Sequence, residues 1–482
     1  MRKALRILIS AFLMLMTCAP AVFADEAAHE AVNEALPLWS IIPFVGMLLS
    51  IAVIPLVKPE WWERNMLWAS LGWSALFIVP FAIKFGAGEA FFRLLESVLV
   101  DFVPFIILLF GLFVVAGGIA IKGTLVGTPK VNVVLLLIGM LLASWIGTTG
   151  AAMLLIRPVI RANAWREKKA HIIVFFIFLV ANMGGCLTPL GDPPLFMGFQ
   201  RNVPFFWTTT HLLPILVFNM VIMLAVFFVM DRIMYKKELA AGRSPQNLIS
   251  NTEKKEKISI EGGHNLIFIV MIVLAVIMSG IINKKTGGAG WNVYDDCVFS
   301  WGSITECVII MIAAALSLKT TKKTTRDLNE FTYAPIAEVA KLFIGIFITM
   351  IPALAILKVH GADLGFDTPL ELFWSTGVLS SFLDNTPTYL VFLQVAGALG
   401  QTTGVATTVG MVGVKMLEAI SAGAVFMGAV TYIGNAPNFM VKSIAEENKI
   451  KMPSFFGYII KWSLPILIPL FILDSLVFFV FL

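Results

Sequence analysis

Two carboxylates, Asp192 and Asp384, interrupt long apolar stretches of this 482-residue chain, and neither interruption contains an Arg or Lys. An unpaired carboxylate inside a membrane is costly, so it is expected to bind a cation or hold a proton. Asp192 belongs to Thr188-Pro-Leu-Gly-Asp192-Pro-Pro-Leu-Phe-Met197, which returns as Thr431-Tyr-Ile-Gly-Asn435-Ala-Pro-Asn-Phe-Met440. Thr, Gly, Pro, Phe and Met keep their places, while Asn435 stands where the first copy has an acid. Asp384 opens Asp384-Asn385-Thr386-Pro387, and a fourth interruption, Gly147-Thr148-Thr149-Gly150, is neutral. Carbonyls freed at such breaks can coordinate a cation, and amides at the start of a half-helix can hold an anion. The two carboxylates tip that balance toward exchange of Na⁺ for H⁺.

Each residue also has a structural reading. Asp192 suits the cap of a half-helix beginning at Pro193, and Asp384 stands similarly ahead of Pro387. Thr148, Thr149, Thr188, Thr386 and Thr431 can each satisfy local backbone groups. As a set at four interruptions they are candidate ligands. Asn182 and Asn435 offer side-chain carbonyls, although Asn182 can instead bond a neighbouring helix. Asp192, Asp384 and Asn385 form the candidate coordination set for a transported Na⁺, which is cargo and not a structural metal. Asp101, Glu338, Lys341 and Asp474 are expected near helix ends, where snorkelling or pairing accounts for them.

These residues need a membrane scaffold. The chain is 59% hydrophobic and only 13% charged, and apolar runs near the ~20 residues of a membrane crossing recur throughout. The expected fold is an all-α polytopic membrane protein whose principal partner is the lipid bilayer. A net charge of +5, concentrated in short loops, implies no nucleic-acid partner. Cys18, Cys186, Cys297 and Cys307 lack ligand spacing, so neither a disulfide framework nor a structural metal is expected. No Ser/His pair or nucleotide loop suggests an enzyme, and no cofactor is implied beyond Na⁺ and H⁺ as transported or coupling ions.

Residues 1–24 read as a cleaved signal peptide, with Arg2, Lys3 and Arg6 ahead of an apolar run. Residues 25–231 read as a first half with a re-entrant hairpin at about 131–161 and a broken helix at about 171–200. A cytoplasmic linker, 232–263, leads to a second half, 264–482, with a hairpin at about 368–400 and a broken helix at about 419–444. Basic loops orient the halves oppositely, giving about ten transmembrane helices plus two hairpins in an inverted-topology repeat. Residues 401–415 are expected as a surface helix. Paired interruptions in inverted halves point to the binding site of a secondary transporter. Two oppositely facing hairpins suit alternating access better than the continuous pore of a channel.

Three motifs carry a family resemblance. Asn182-Met-Gly-Gly-Cys-Leu-Thr-Pro-Leu-Gly-Asp-Pro-Pro194, Phe382-Leu-Asp-Asn-Thr-Pro387 and Tyr432-Ile-Gly-Asn-Ala-Pro437 resemble the ion transporter superfamily over essentially the whole mature chain. The similarity is strongest to the branch holding D-type sodium/proton antiporters and citrate transporters. The resemblance implies two half-sites formed by hairpin tips and helix breaks, a homodimer, an elevator-like shift and a location in the cell inner membrane. The first tip, Gly147-Thr148-Thr149-Gly150, lacks the acid usual in the sodium/proton branch. The second tip carries Asp384 where the citrate branch has none. Sodium/proton antiport is the leading expectation; the alternative is an ion-coupled carrier of citrate or another carboxylate, and an arsenite-type permease ranks lower.

Overall fold

The computed structural model describes residues 26–244 and 257–481. The expected signal peptide and part of the expected linker lie outside the described residues. A short helix, α1 (Glu26–Glu34), precedes three long helices, α2 (Ile42–Val57), α3 (Pro59–Phe85) and α4 (Ala87–Ala116). Then come α5 (Pro129–Ile146) and α6 (Thr148–Ala162), the divided helix α7 (Ala170–Leu179) and α8 (Pro193–Gln200), and the long α9 (Trp207–Ala240).

The second half repeats this order. Three long helices, α10 (Asn265–Thr286), α11 (Trp301–Thr320) and α12 (Ala334–His360), are followed by the pair α13 (Pro369–Phe382) and α14 (Asn385–Ala398). A second divided helix, α15 (Val414–Met427) and α16 (Ala436–Glu447), leads to a last crossing, α17 (Phe455–Phe481). The fold is the all-α polytopic membrane architecture expected from composition. Among the described residues, ten helices are long and apolar enough to cross a membrane. That set includes α5, one arm of a hairpin, and omits α15 and α16, whose division leaves neither piece long enough.

Among the described residues, three two-stranded ribbons join the helices: β1 (Ala120–Lys122) with β2 (Ser259–Glu261), β3 (Gly290–Tyr294) with β4 (Cys297–Ser300), and β5 (Val405–Thr407) with β6 (Gly410–Val412). The last pair replaces the surface helix expected at 401–415. Alternating β-branched residues there pair antiparallel, Val405 opposite Val412, around a turn that ends at Gly410 with φ 125°.

Helix α9 also takes in the first nine residues of the expected linker, 232–240. Asp231 does not end it, because that carboxylate is paired inside the protein: Arg166 donates to it, His171 Nε2 lies 2.7 Å away and Asn132 Nδ2 donates at 3.0 Å.

Burial separates an outer shell from a core. Only 28% of the most apolar stretch is buried in the spans containing α2 and α3, against 89% in the span beginning at α7. Large apolar side chains such as Ile83, Trp68 and Val221 remain exposed on the shell, as lipid contact requires.

The helix pairs α5/α6 and α13/α14 are hairpins. Asn132, near the start of α5, and Asn163, just past the end of α6, exchange amide hydrogen bonds of 3.1 and 2.8 Å, so both ends lie together. This base sits against Asp231, toward the far end of α9. The second hairpin opens at the other end of that helix. Gly397, at the end of α14, abuts Val409 in the β5–β6 turn, and Thr408 N donates to Arg201 O just ahead of α9. At 1.5 Å per residue α9 is about 50 Å long. The hairpins therefore enter from opposite ends of the bundle, and their tips meet between.

Candidate functional site

Each hairpin tip is braced against the helix break of its own half by matching bonds. Thr188 Oγ1 donates to Ser144 O and accepts from Leu190 N–H at 3.2 Å. Thr431 Oγ1 donates to Ser381 O and accepts from Ile433 and Gly434 N–H, both at 3.1 Å. Ser144 Oγ reaches Gly184 O, while Ser381 Oγ reaches Met427 O at 3.0 Å. Ser144 lies three residues before Gly147 and Ser381 three before Asp384, so the brace has the same register in both halves. Thr188 and Thr431 are thus committed to shaping the breaks.

Two backbone features make the geometry possible. Gly147 turns the first tip with φ 78°, a conformation that L side chains rarely adopt. In the first break, a Cβ on Gly191 would lie 2.1 Å from Gly185 O, so the loop closes on itself only without side chains.

The four interruptions converge on Asp192, which is 1% exposed. Its Oδ1 accepts from Thr148 Oγ1 at 3.0 Å and from Asn435 Nδ2 at 3.0 Å; its Oδ2 accepts from Asn385 Nδ2 at 2.6 Å. One carboxylate is therefore held by the tip of its own half and by the tip and break of the other. Asp192 precedes α8 but makes no capping bond with its side chain, so the capping reading fails for this residue.

Capping does describe Asp384. Its Oδ1 accepts from Thr386 N–H at 2.9 Å at the start of α14, and it stands beside the group around Asp192. Thr386 is buried, with Oγ1 3.5 Å from Asn385 Oδ1, and Thr149 is half-buried on α6.

Asn182 joins the two breaks. Its Nδ2 donates to Asn438 Oδ1 and to Ile177 O, each at 2.7 Å, and its Oδ1 lies 3.3 Å from Asn435 Nδ2. Asn438 in turn donates to Gly428 O and Thr431 O at 2.8 and 2.9 Å. Asn438, Ser144 and Ser381 were not singled out from sequence. Asn438 stands where the first copy of the repeat has Leu195, so comparing identities passes over it. The serines share one offset from the two tips, and aligning the tips would have found them.

Helices α6, α8, α14 and α16 all begin within this hydrogen-bonded group, with Thr148, Asp192, Asn385 and Asn435 at or next to their first residues. Four positive helix ends, each equivalent to roughly half a unit charge, therefore surround one carboxylate. Such an arrangement can hold an anion on free amides and a cation on Asp192. No curated protein matches the chain at a significant level. A family model described as "Putative citrate transport" matches residues 33–479. The chain belongs to that family of membrane transport proteins.

Proposed function

We propose that this protein is a secondary transporter that carries citrate or a similar small carboxylate, coupled to Na⁺ or H⁺, by alternating access. The observation that supports this most is the meeting of four helix N-termini around a single buried carboxylate. The helix ends and the Thr148, Asn385 and Asn435 donors suit an anionic cargo. Asp192 suits the coupling cation, since a membrane carboxylate is stabilised by a bound ion or proton. The family's description favours the carboxylate as cargo over sodium/proton exchange alone. Asp192 is also what that second reading would use, so the two must be separated by measurement.

Burial supports the alternating-access reading. At 1% exposure, Asp192 is reached only when a tip moves, and the tips close it from opposite ends. Withdrawing one opens one side while the other stays braced through Thr188 or Thr431. In proteoliposomes, an imposed inward Na⁺ or H⁺ gradient should drive accumulation of labelled citrate. If no carboxylate accumulates, and added Na⁺ collapses a preset pH gradient, the protein is an antiporter and the carboxylate reading is wrong.

A further inference from the structure

The last helices of the two halves, α9 and α17, share one polar contact. Asn219 Nδ2 on α9 donates to Asp474 Oδ2 on α17 at 3.0 Å, and both side chains are fully buried. Aromatic rings surround them. Phe218 packs on Phe478 with centroids 5.6 Å apart, and Phe373 of α13 packs on Phe471 and Phe479 at 6.5 and 4.9 Å. Snorkelling therefore does not account for Asp474.

Asp474 lies 39 residues past Asn435, as Asp231 lies 39 residues past Asp192, so the two aspartates hold equivalent places in the repeat. Asp231 is paired with Arg166 and His171; among the described residues Asp474 has no cationic partner. The charged groups of the surrounding helices are engaged elsewhere or distant. Glu371 of α13 accepts from the amides of Asp367 and Thr368, His211 of α9 bonds Trp207 O, Lys415 and Glu418 of α15 pair with each other, and Lys461 of α17 is exposed. The charged run from Asp231 to Glu238 begins 12 residues beyond Asn219, about 18 Å along α9.

Two acceptors are left over. Asp474 Oδ1 and Asn219 Oδ1 are buried and have no hydrogen-bond partner among the described residues. An ionised carboxylate and an amide oxygen have no donor to offer one another, whereas a protonated carboxyl has one. A proton on Asp474 Oδ1 completes the two-bond ring of a carboxylic acid with a primary amide: Asn219 Nδ2 donates to Oδ2, and Asp474 donates to Asn219 Oδ1. It also removes an unpaired charge from apolar surroundings. A metal ion is the poorer occupant, because two free oxygens fall short of the shell a hard cation needs, and the adjacent Ser475 hydroxyl is spent on Phe471 O at 2.7 Å.

We propose that Asp474 is a proton-binding site, separate from Asp192, with Asn219 as its hydrogen-bond partner between the final helices of the two halves. Both groups are shut off from water, so the proton is exchanged only when α9 and α17 part. The charge of Asp474 is thereby tied to the packing of one half against the other.

The test is infrared difference spectroscopy on the full chain in detergent at neutral pH, wild type minus Asp474→Asn. The difference should contain the carbonyl stretch of a protonated carboxylic acid and no carboxylate band; Asp192 is present in both samples and cancels. Asn219→Leu keeps the carboxyl and removes its donor, so the acid band should move to higher frequency, which also tests the pairing should Asp474→Asn fail to fold. The proposal is overturned if the difference shows the carboxylate bands of an ionised Asp474, or if no acid band moves in Asn219→Leu.

Discussion

Asp192→Asn separates the charge at the centre of the site from its shape. The amide keeps one oxygen to accept from Thr148 and Asn435, now bound at 3.0 Å. Its nitrogen faces Asn385, whose amide can turn to accept. Three charge-assisted bonds of about 1.5–3 kcal/mol become neutral ones of about 0.5–1.5, but the several kcal/mol needed to bury a charge are no longer spent. The two changes oppose each other at similar size, so the variant should fold with nearly wild-type thermal stability.

Ion coupling should fare differently. At 4 Å and an effective dielectric of about 20, a carboxylate attracts a monovalent cation by about 4 kcal/mol, or roughly a thousandfold in affinity. Gradient-driven citrate accumulation in proteoliposomes should therefore be lost, while the protein remains monodisperse and thermally stable. Accumulation near the wild-type level would refute the assignment of the coupling ion to Asp192.

Three further outcomes follow from the same geometry. Asp384→Asn should transport within about twofold of wild type, because Asn caps a helix as well as Asp does, whereas Asp384→Ala should cost about 1 kcal/mol of stability; loss of transport in the Asn variant would make Asp384 a ligand. Gly191→Ala sets a Cβ 2.1 Å from Gly185 O and should abolish transport, with Gly72→Ala, which meets nothing within 4 Å, as the active control. Asp231→Asn leaves the fully buried Arg166 charge unbalanced and should destabilise the fold by about 3–5 kcal/mol in thermal melts, while Arg166→Met combined with Asp231→Leu should recover much of that loss.

The interruptions were legible because Gly-Asp-Pro-Pro and Gly-Asn-Ala-Pro cannot continue a helix, and because the apolar run around Gly147 is too long for one crossing and too short for two. What meets at them was not. Asn385 and Asp192 are 193 residues apart, and no local pattern announces that contact. Sequence gave Asp192 and Asp384 equal standing, one carboxylate per half; the structure separates them, since only Asp384 finds a backbone N–H to cap. Asp231 looked like the end of a helix because its partner, Arg166, comes from the base of the hairpin. Residues 401–415 form a ribbon in place of the expected surface helix because Gly404 and Gly410 take φ of 143° and 125°, which a helix interior excludes.

The closed base of the first hairpin bears on how the chain is assembled. Asn132 and Asn163 can join as soon as α6 is made, but the Arg166 guanidinium waits for Asp231, 65 residues further along. Until α9 is in place, a cation buried in the finished protein must stay at the water boundary, and it holds the hairpin there with it. Seating of this half of the site therefore waits for the synthesis of α9, whose carboxylate locks it.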